Sequence, residues 1–332
     1  MNKKELEEVT DTKTKKREFK IEDLPGVGTA TAEKLSESGF NDLMSIAVAS
    51  PAELIEIAGM TEATARKVIN SARNKMDMGF ESADELLEQR SNILRISTGS
   101  KALDALFAGG VESGGITECY GPYGTGKSAL AHQLAINVQL PRDRGGAEGM
   151  TVLVDTESTF RPERIKQIAE LMGIDPIVAL KNIKVGKAFN SDHQMLMTEK
   201  VKDMIEKDKL PIKLVIVDSL MSHFRSDFSG RGQLADRQQK LNKHIHALLK
   251  LSITHNLVVY VTNQVMSRPD VFFGDPTEAI GGHVLGHGMT TRVYLRKGKK
   301  GTRVAKMVDS PYIAEKESVF IITEKGISDV KE

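Results

Sequence analysis

The stretch "GPYGTGKS", Gly121 to Ser128, restricts this chain more than any other. It fits G-x-x-x-x-G-K-[ST] and stands between an apolar run, "GITECY", and a helical one, "KSALAHQLAINVQL". That context is a strand, a tight turn and a helix. Gly124 and Gly126 let the backbone bend and turn N–H groups toward a triphosphate. Lys127 brings a positive charge to the β- and γ-phosphates, and Ser128 offers a hydroxyl to Mg²⁺. The whole loop of Gly121, Pro122, Tyr123, Gly124, Thr125, Gly126, Lys127 and Ser128 is thus a candidate ATP site, with Lys127 also a candidate for catalysis.

From residue 96 onward the pattern alternates. "MTVLVD", "NIKVGKAF", "KLVIVD" and "LVVYVTNQ" read as strands. "RPERIKQIAELMG" and segments near 191–207 and 233–255 read as helices. Such alternation implies an α/β fold with a mostly parallel, doubly wound sheet. "TRVYLRKGKKGTRVAKMV" differs, with two alternating runs around a Gly-Lys turn, and reads as a hairpin. Ligands of open parallel sheets collect at the carboxyl ends of the strands. Asp218 ends "LVIVD" and is the candidate metal-side acid beside Ser128. Glu157 in "VDTEST" is the candidate to polarise an attacking water, with Asp155 a competitor that could cap the next segment instead. Gln264 is a neutral amide at the same edge, suited to sensing a γ-phosphate.

Two long segments leave that edge. "SHFRSDFSGRGQLADRQ" holds Arg225 and Arg231 among glycines and aromatics. "VMSRPDVFFGDPTEAIGGHVLGHG" is rich in Gly and Pro. Both read as loops, and loops this long are uncommon unless functional or disordered. Arginines with aromatics suit single-stranded nucleic acid, and a substrate lid is the competing reading. His283 and His287 lack a His-Glu-x-x-His pattern, so zinc is disfavoured. His244 and His246 read as surface or packing residues.

The net charge is +1, so any nucleic-acid binding must come from local patches. The single cysteine, Cys119, lies in an apparent strand and excludes an internal disulfide. That fits a reducing, cytoplasmic setting. Residues 1–20 are charged throughout and read as a disordered tail. Residues 21–75 contain a repeat, in which "LPGVGTATAEKL" matches "IAGMTEATARKV". Each copy reads as a glycine turn opening a helix. A helix-hairpin-helix pair fits, with Gly26, Gly28 and Gly59 at turns whose N–H groups suit DNA phosphates. A small helical interaction domain is the alternative. Residues 76–95 form a linker containing "MGFESA".

Together "GPYGTGKSALAHQLAINVQLP", "DTESTFRPERI", "FRSDFSGRGQLADRQ", "TNQV" and "AIGGHVLGH" resemble the RecA-superfamily recombinases of the archaeal RadA and eukaryotic Rad/Dmc type. The resemblance runs from about residue 21 to 330 and includes the helical domain that bacterial RecA lacks, so the RadA branch is the better match. It implies a RecA-type P-loop ATPase core over 96–332, in which Glu157 activates water and Gln264 reads the γ-phosphate. It implies further that Arg164 stacks on adenine, and that Asp309 and Pro311 lie over ATP on an adjacent subunit. Arg225 and Arg231 would fall in the first DNA loop, Phe272 or Phe273 in the second, and His287 would couple the second loop to the nucleotide. "GFESA" matches the family's Phe-x-x-Ala motif. Phe80 and Ala83 would then dock on a neighbour's strand "KVGKAF", where Gly186 and Ala188 leave room. The resemblance implies ATP and Mg²⁺, single- and double-stranded DNA, a homo-oligomeric filament or ring, and recombination mediators as partners. A non-recombining ATPase of the same fold is the alternative.

Overall fold

The computed structural model describes residues 21–75, 82–228, 230–267 and 277–330. The expected tail 1–20, Phe80, Phe272 and Phe273 lie outside the described residues. The chain divides into two compact units, one ending at Arg90 and the other beginning at Ser91. The division falls inside the 76–95 stretch taken as the linker.

The first unit is helical: α1 (Thr29–Glu37), α2 (Leu43–Val48), α3 (Pro51–Ala58), α4 (Glu62–Lys75) and α5 (Ala83–Arg90). Asp42 and Ser50 each close a capping box, which starts α2 and α3 sharply. Gly59 ends α3 at φ 66°, and Gly26 sits at φ 99° before α1. The repeated glycine marks a left-handed turn that a side chain would strain. The second copy joins two full helices, whereas the first is preceded only by a 3-10 turn, Ile21–Asp23. Leu24, Leu35, Ile46, Leu54, Val68 and Ile69 form this unit's own core.

The second unit opens with β1 (Arg95–Ile96), α6 (Lys101–Leu106), β2 (Val111–Glu112), β3 (Ile116–Tyr120) and α7 (Lys127–Asn137). It continues with β4 (Met150–Asp155), α8 (Pro162–Leu171), α9 (Pro176–Lys181), β5 (Ile183–Lys187), α10 (Ser191–Glu206) and β6 (Ile212–Asp218). Then come α11 (Ser222–Ser226), α12 (Leu234–His255), β7 (Val258–Asn263), β8 (Val265–Ser267), β9 (Thr277–Ala279) and α13 (Gly282–Gly288). The last strands are β10 (Thr291–Lys297), β11 (Arg303–Asp309), β12 (Glu317–Thr323) and β13 (Gly326–Asp329).

The large sheet runs β13-β12-β11-β10-β3-β7-β6-β4-β5. Neighbours from β10 to β5 pair parallel, and those from β10 to β13 antiparallel. The central parallel strands β3, β4, β6 and β7 are buried along nearly their whole length because both faces of the sheet are covered there. In β6, Leu214 and Ile216 join one core while Val215 and Val217 join the other. In β7, Tyr260 and Val261 divide likewise. The expected hairpin is β10–β11.

The two segments expected to be long loops need correction. α11 and a short 3-10 turn, Arg231–Gln233, interrupt the first, and α12 then begins where a helix is expected near 233. β8 pairs with β9 across the second, and α13 follows. Short elements with many polar or glycine residues carry little periodic signal, and tertiary packing holds them in place.

Candidate nucleotide site

β3 delivers the chain to Gly121, whose added Cβ would fall 2.1 Å from the Leu295 carbonyl oxygen. No side chain fits there. At Gly126 the backbone adopts φ 104° at the start of α7, and a Cβ would fall 2.8 Å from Ile322 Cδ1. Gly126 offers no side-chain cap, so the first N–H groups of α7 are open to an anion. Thr125 Oγ1 donates to the Pro122 carbonyl at 2.9 Å and braces the loop. Tyr123 is almost wholly exposed beside it. Lys127 Nζ donates to the Gly121 and Pro122 carbonyls at 2.8 and 3.0 Å. Burial pushes the pKa of its ammonium down, against the opposing charges of Asp218 and Glu157.

Three strand ends face this loop. Parallel register sets Asp155 of β4 opposite Asp218 of β6. Asp155 accepts from the backbone N–H groups of Glu157, Thr159 and Phe160 at 3.1–3.2 Å. It holds the turn after β4. Burial pushes the Asp218 carboxyl up, and hydrogen bonds from Thr262 and Ser128 pull it back. Glu157 Oε1 accepts from Gln264 Nε2 at 2.9 Å and from Ser219 Oγ at 2.8 Å. A cavity of about 500 Å³ is lined by Gly121, Lys127, Ser128, Glu157, Asp218 and Gln264, among others. The fit to a magnesium-bound triphosphate rests on its parts: open helix N–H groups, one cation, and hard oxygen donors from Ser128 and Asp218.

Three residues tied to the nucleotide by resemblance do not line this cavity: Arg164, Asp309 and Pro311. Arg164 donates to the carbonyls of Thr323 and Glu324 at 2.5 and 3.0 Å. Asp309 ends β11 and, with His287, lines a separate cavity of about 290 Å³. Arg225 is exposed on α11 rather than in a glycine loop, and shares a cavity of about 320 Å³ with Ser219 and Gln264. Arg231 begins a short 3-10 turn before α12. Gly186 lies on β5, the edge strand, with the buried Ala188 just beyond it. Gly26, Gly28, Gly59 and Ala83 belong to the first unit.

Sequence reasoning missed Ser219, Thr262 and Thr156, whose hydroxyls tie these strand ends together. Their only signal was position: each lies within two residues of a residue singled out. It also missed Glu118, fully buried in β3. Arg292 Nε donates to its Oε2 at 2.7 Å and Asn263 Nδ2 to its Oε1 at 2.8 Å.

The model of the Rad51 family matches residues 89–330, the whole sheet and the nucleotide cavity included. The chain belongs to the Rad51 family. A second match, the SAM-like helix-hairpin-helix tandem, covers residues 20–74 and coincides with the glycine-turn repeat. Membership in the Rad51 family makes this a DNA-dependent ATPase of the recombinase type, acting in recombination and repair. ATP with Mg²⁺ and DNA are the ligands of that family. Among the described residues no helix is long and apolar enough to cross a membrane.

Proposed function

We propose that this Rad51-family chain is of the RadA type, assembles as a filament on single-stranded DNA and catalyses homologous pairing and strand exchange in the cytoplasm. One observation carries the reading. The nucleotide cavity and the Arg225 cavity share Ser219 and Gln264, so the P-loop and the DNA-side segments meet at one sheet edge.

Lys127 leaves the Gly121 and Pro122 carbonyls to meet the phosphates, and Glu157 takes the proton of the attacking water. Gln264 exchanges its Glu157 contact for the γ-phosphate and passes that change into the segment after β7. Ser128 and, through water, Asp218 would hold Mg²⁺, which would supply charge neutralisation at the phosphate oxygens. Arg225, Arg231 and Phe273 hold the strand by its backbone and bases, leaving base edges free for a duplex. Arg164 lies against adenine, and Asp309 and Pro311 cover the ATP of the adjacent subunit. Gly26, Gly28 and Gly59 present N–H groups to duplex phosphates. Phe80 and Ala83 dock at Gly186 and Ala188 of the next subunit, and mediators regulate loading.

The test is strand exchange between a circular single strand and a homologous linear duplex, with and without ATP. Exchange is expected only with ATP. Lys127→Ala is expected to abolish both exchange and ATP turnover. Full ATPase in that variant, or no exchange by the parent protein, overturns the reading.

A further inference from the structure

Ser219 is the first residue past β6, and it is 3% exposed. Its backbone is pinned on both sides by one hydroxyl. Ser219 N–H donates to Thr156 Oγ1 at 2.8 Å, and Thr156 Oγ1 donates to the Ser219 carbonyl at 2.9 Å. Thr156 N–H in turn donates to the Asp218 carbonyl at 2.9 Å. The ends of β4 and β6 are thereby locked together, and the Ser219 hydroxyl has a single proton to give. It donates to Glu157 Oε1 at 2.8 Å.

Gln264 Nε2 donates to the same oxygen at 2.9 Å. A carboxylate oxygen has two lone pairs, and here both on Oε1 are taken. Oε2 accepts from no described group, so it is the oxygen turned over to solvent chemistry. The two anchors differ in kind. Gln264 stands where the chain leaves β7 toward β8, and its amide is free to change partners. Ser219 sits in a locked corner and is not.

We propose that Ser219 is a positioning residue for ATP hydrolysis: its hydroxyl holds Glu157 Oε1 so that Oε2 faces the attacking water after Gln264 has let go. This deepens the ATPase reading of the site and rests on Glu157 as the base. In that reaction the water oxygen bonds to the γ-phosphorus, the bond to the β–γ bridging oxygen breaks and ADP leaves. The water's proton passes to Glu157 Oε2. Glutamate has three free side-chain torsions, and a carboxylate without its anchor samples orientations that cannot take that proton. Misplacing a reacting group by about 1 Å costs on the order of 100-fold in rate. Ser219 also lines both the nucleotide cavity and the one shared with Arg225, so a strand seated near Arg225 bears on the same corner.

The experiment compares Ser219→Ala, Ser219→Thr and Thr156→Val with the parent full-length protein. Single-strand-stimulated ATP turnover, KM for ATP, and single-strand binding in a non-hydrolysable ATP analogue are measured for each. Ser219→Ala is expected to lower kcat by about 10- to 100-fold. KM is expected within about twofold of the parent, with analogue-supported DNA binding retained. Ser219→Thr keeps the hydroxyl and is expected to recover turnover. Thr156→Val unpins Ser219 without removing it and is expected to lower kcat in the same way, which tests the idea by a second route should Ser219→Ala fold poorly. Parental kcat in a folded Ser219→Ala overturns the inference, as does parental kcat in Thr156→Val where Ser219→Ala does not fold, or a loss of nucleotide binding equal to the loss of turnover. Lys127→Ala, run beside them, separates the failures. If Lys127→Ala keeps its ATPase, the whole site assignment falls. If it is inactive while Ser219→Ala turns over normally, only the role of Ser219 falls.

Discussion

His244 on α12 is fully buried, stacked on Phe224 at 5.8 Å between ring centroids, and accepts from Gln194 Nε2 at 3.2 Å. Burial lowers its pKa to about 4. His132 on α7 is lowered to about 4 as well, first by burial and then by the charge of Arg164. An unfolded histidine titrates near 6.5, so between pH 6.5 and 4 the unfolded chain binds more protons than the folded one. Stability from these two residues is complete above about pH 6.5 and falls as pH drops toward 4, by about 3 kcal/mol for each at the limit. Thermal melts at pH 7, 5.5 and 4.5 are expected to show a falling midpoint, and His244→Gln is expected to flatten part of that slope. A midpoint independent of pH over this range contradicts the burial argument. Both histidines were visible in the sequence, but no local pattern showed that either was enclosed, because neither lies in a wholly apolar run.

At the scale of elements, the sheet depends on how β10, β3 and β7 meet. Arg292 of β10 and Asn263 of β7 both donate to Glu118 of β3, and the Arg292 guanidinium lies 5.2 Å from the ring centre of Tyr120. Removing one member of a buried pair leaves the other charge uncompensated. Glu118→Ala is expected to destabilise the protein by about 3–5 kcal/mol, read by urea denaturation. A loss below about 1 kcal/mol would mean that water or a neighbour takes over the pairing. "GITECY" revealed the strand but not this bond, since both partners come from distant chain. The missed elements follow the same logic. α11 has five residues, and α13 contains three glycines among its seven residues, so neither presents a helical face long enough to recognise. β8 and β9 exist as strands only because each pairs with the other. By contrast α7, α8, α10 and α12 were legible, since a periodic apolar stripe declares a helix wherever it packs.

The whole molecule presents an edge strand, β5, with Val185 and the neighbouring Phe189 exposed at 39% and 78%. A Cβ added at Gly186 would meet Met197 Sδ at 3.2 Å, so the shallow site has a methionine floor that can yield. Phe80 of another subunit is proposed to dock there. Burying one phenylalanine contributes roughly 1.5–3 kcal/mol, while a micromolar complex requires about 8 kcal/mol. The aromatic anchor therefore needs a partner contact, and ATP at the subunit boundary is the proposed one. Phe80→Glu is expected to leave folded protein of smaller mass by light scattering, with or without ATP. Assemblies of unchanged size would place Phe80 against its own chain instead. A head-to-tail contact of this kind leaves a free face at each end, so it builds an open filament, or a ring where its rotation closes.

Local chemistry alone determined the phosphate loop, the alternation of strands and helices, and the paired glycine turns of the first unit. Each is a matter of neighbouring residues, of period or of a backbone angle only glycine tolerates. Tertiary structure alone decided which strand lies beside which. It set Asp155 opposite Asp218 and brought to Glu157 a serine 62 residues away and a glutamine 107 residues away. A strand's pattern states which faces are buried but not who its neighbours are. The entropy of closing a loop rises only slowly with its length. Packing of both sheet faces, rather than distance along the chain, therefore selects the order and so composes the site.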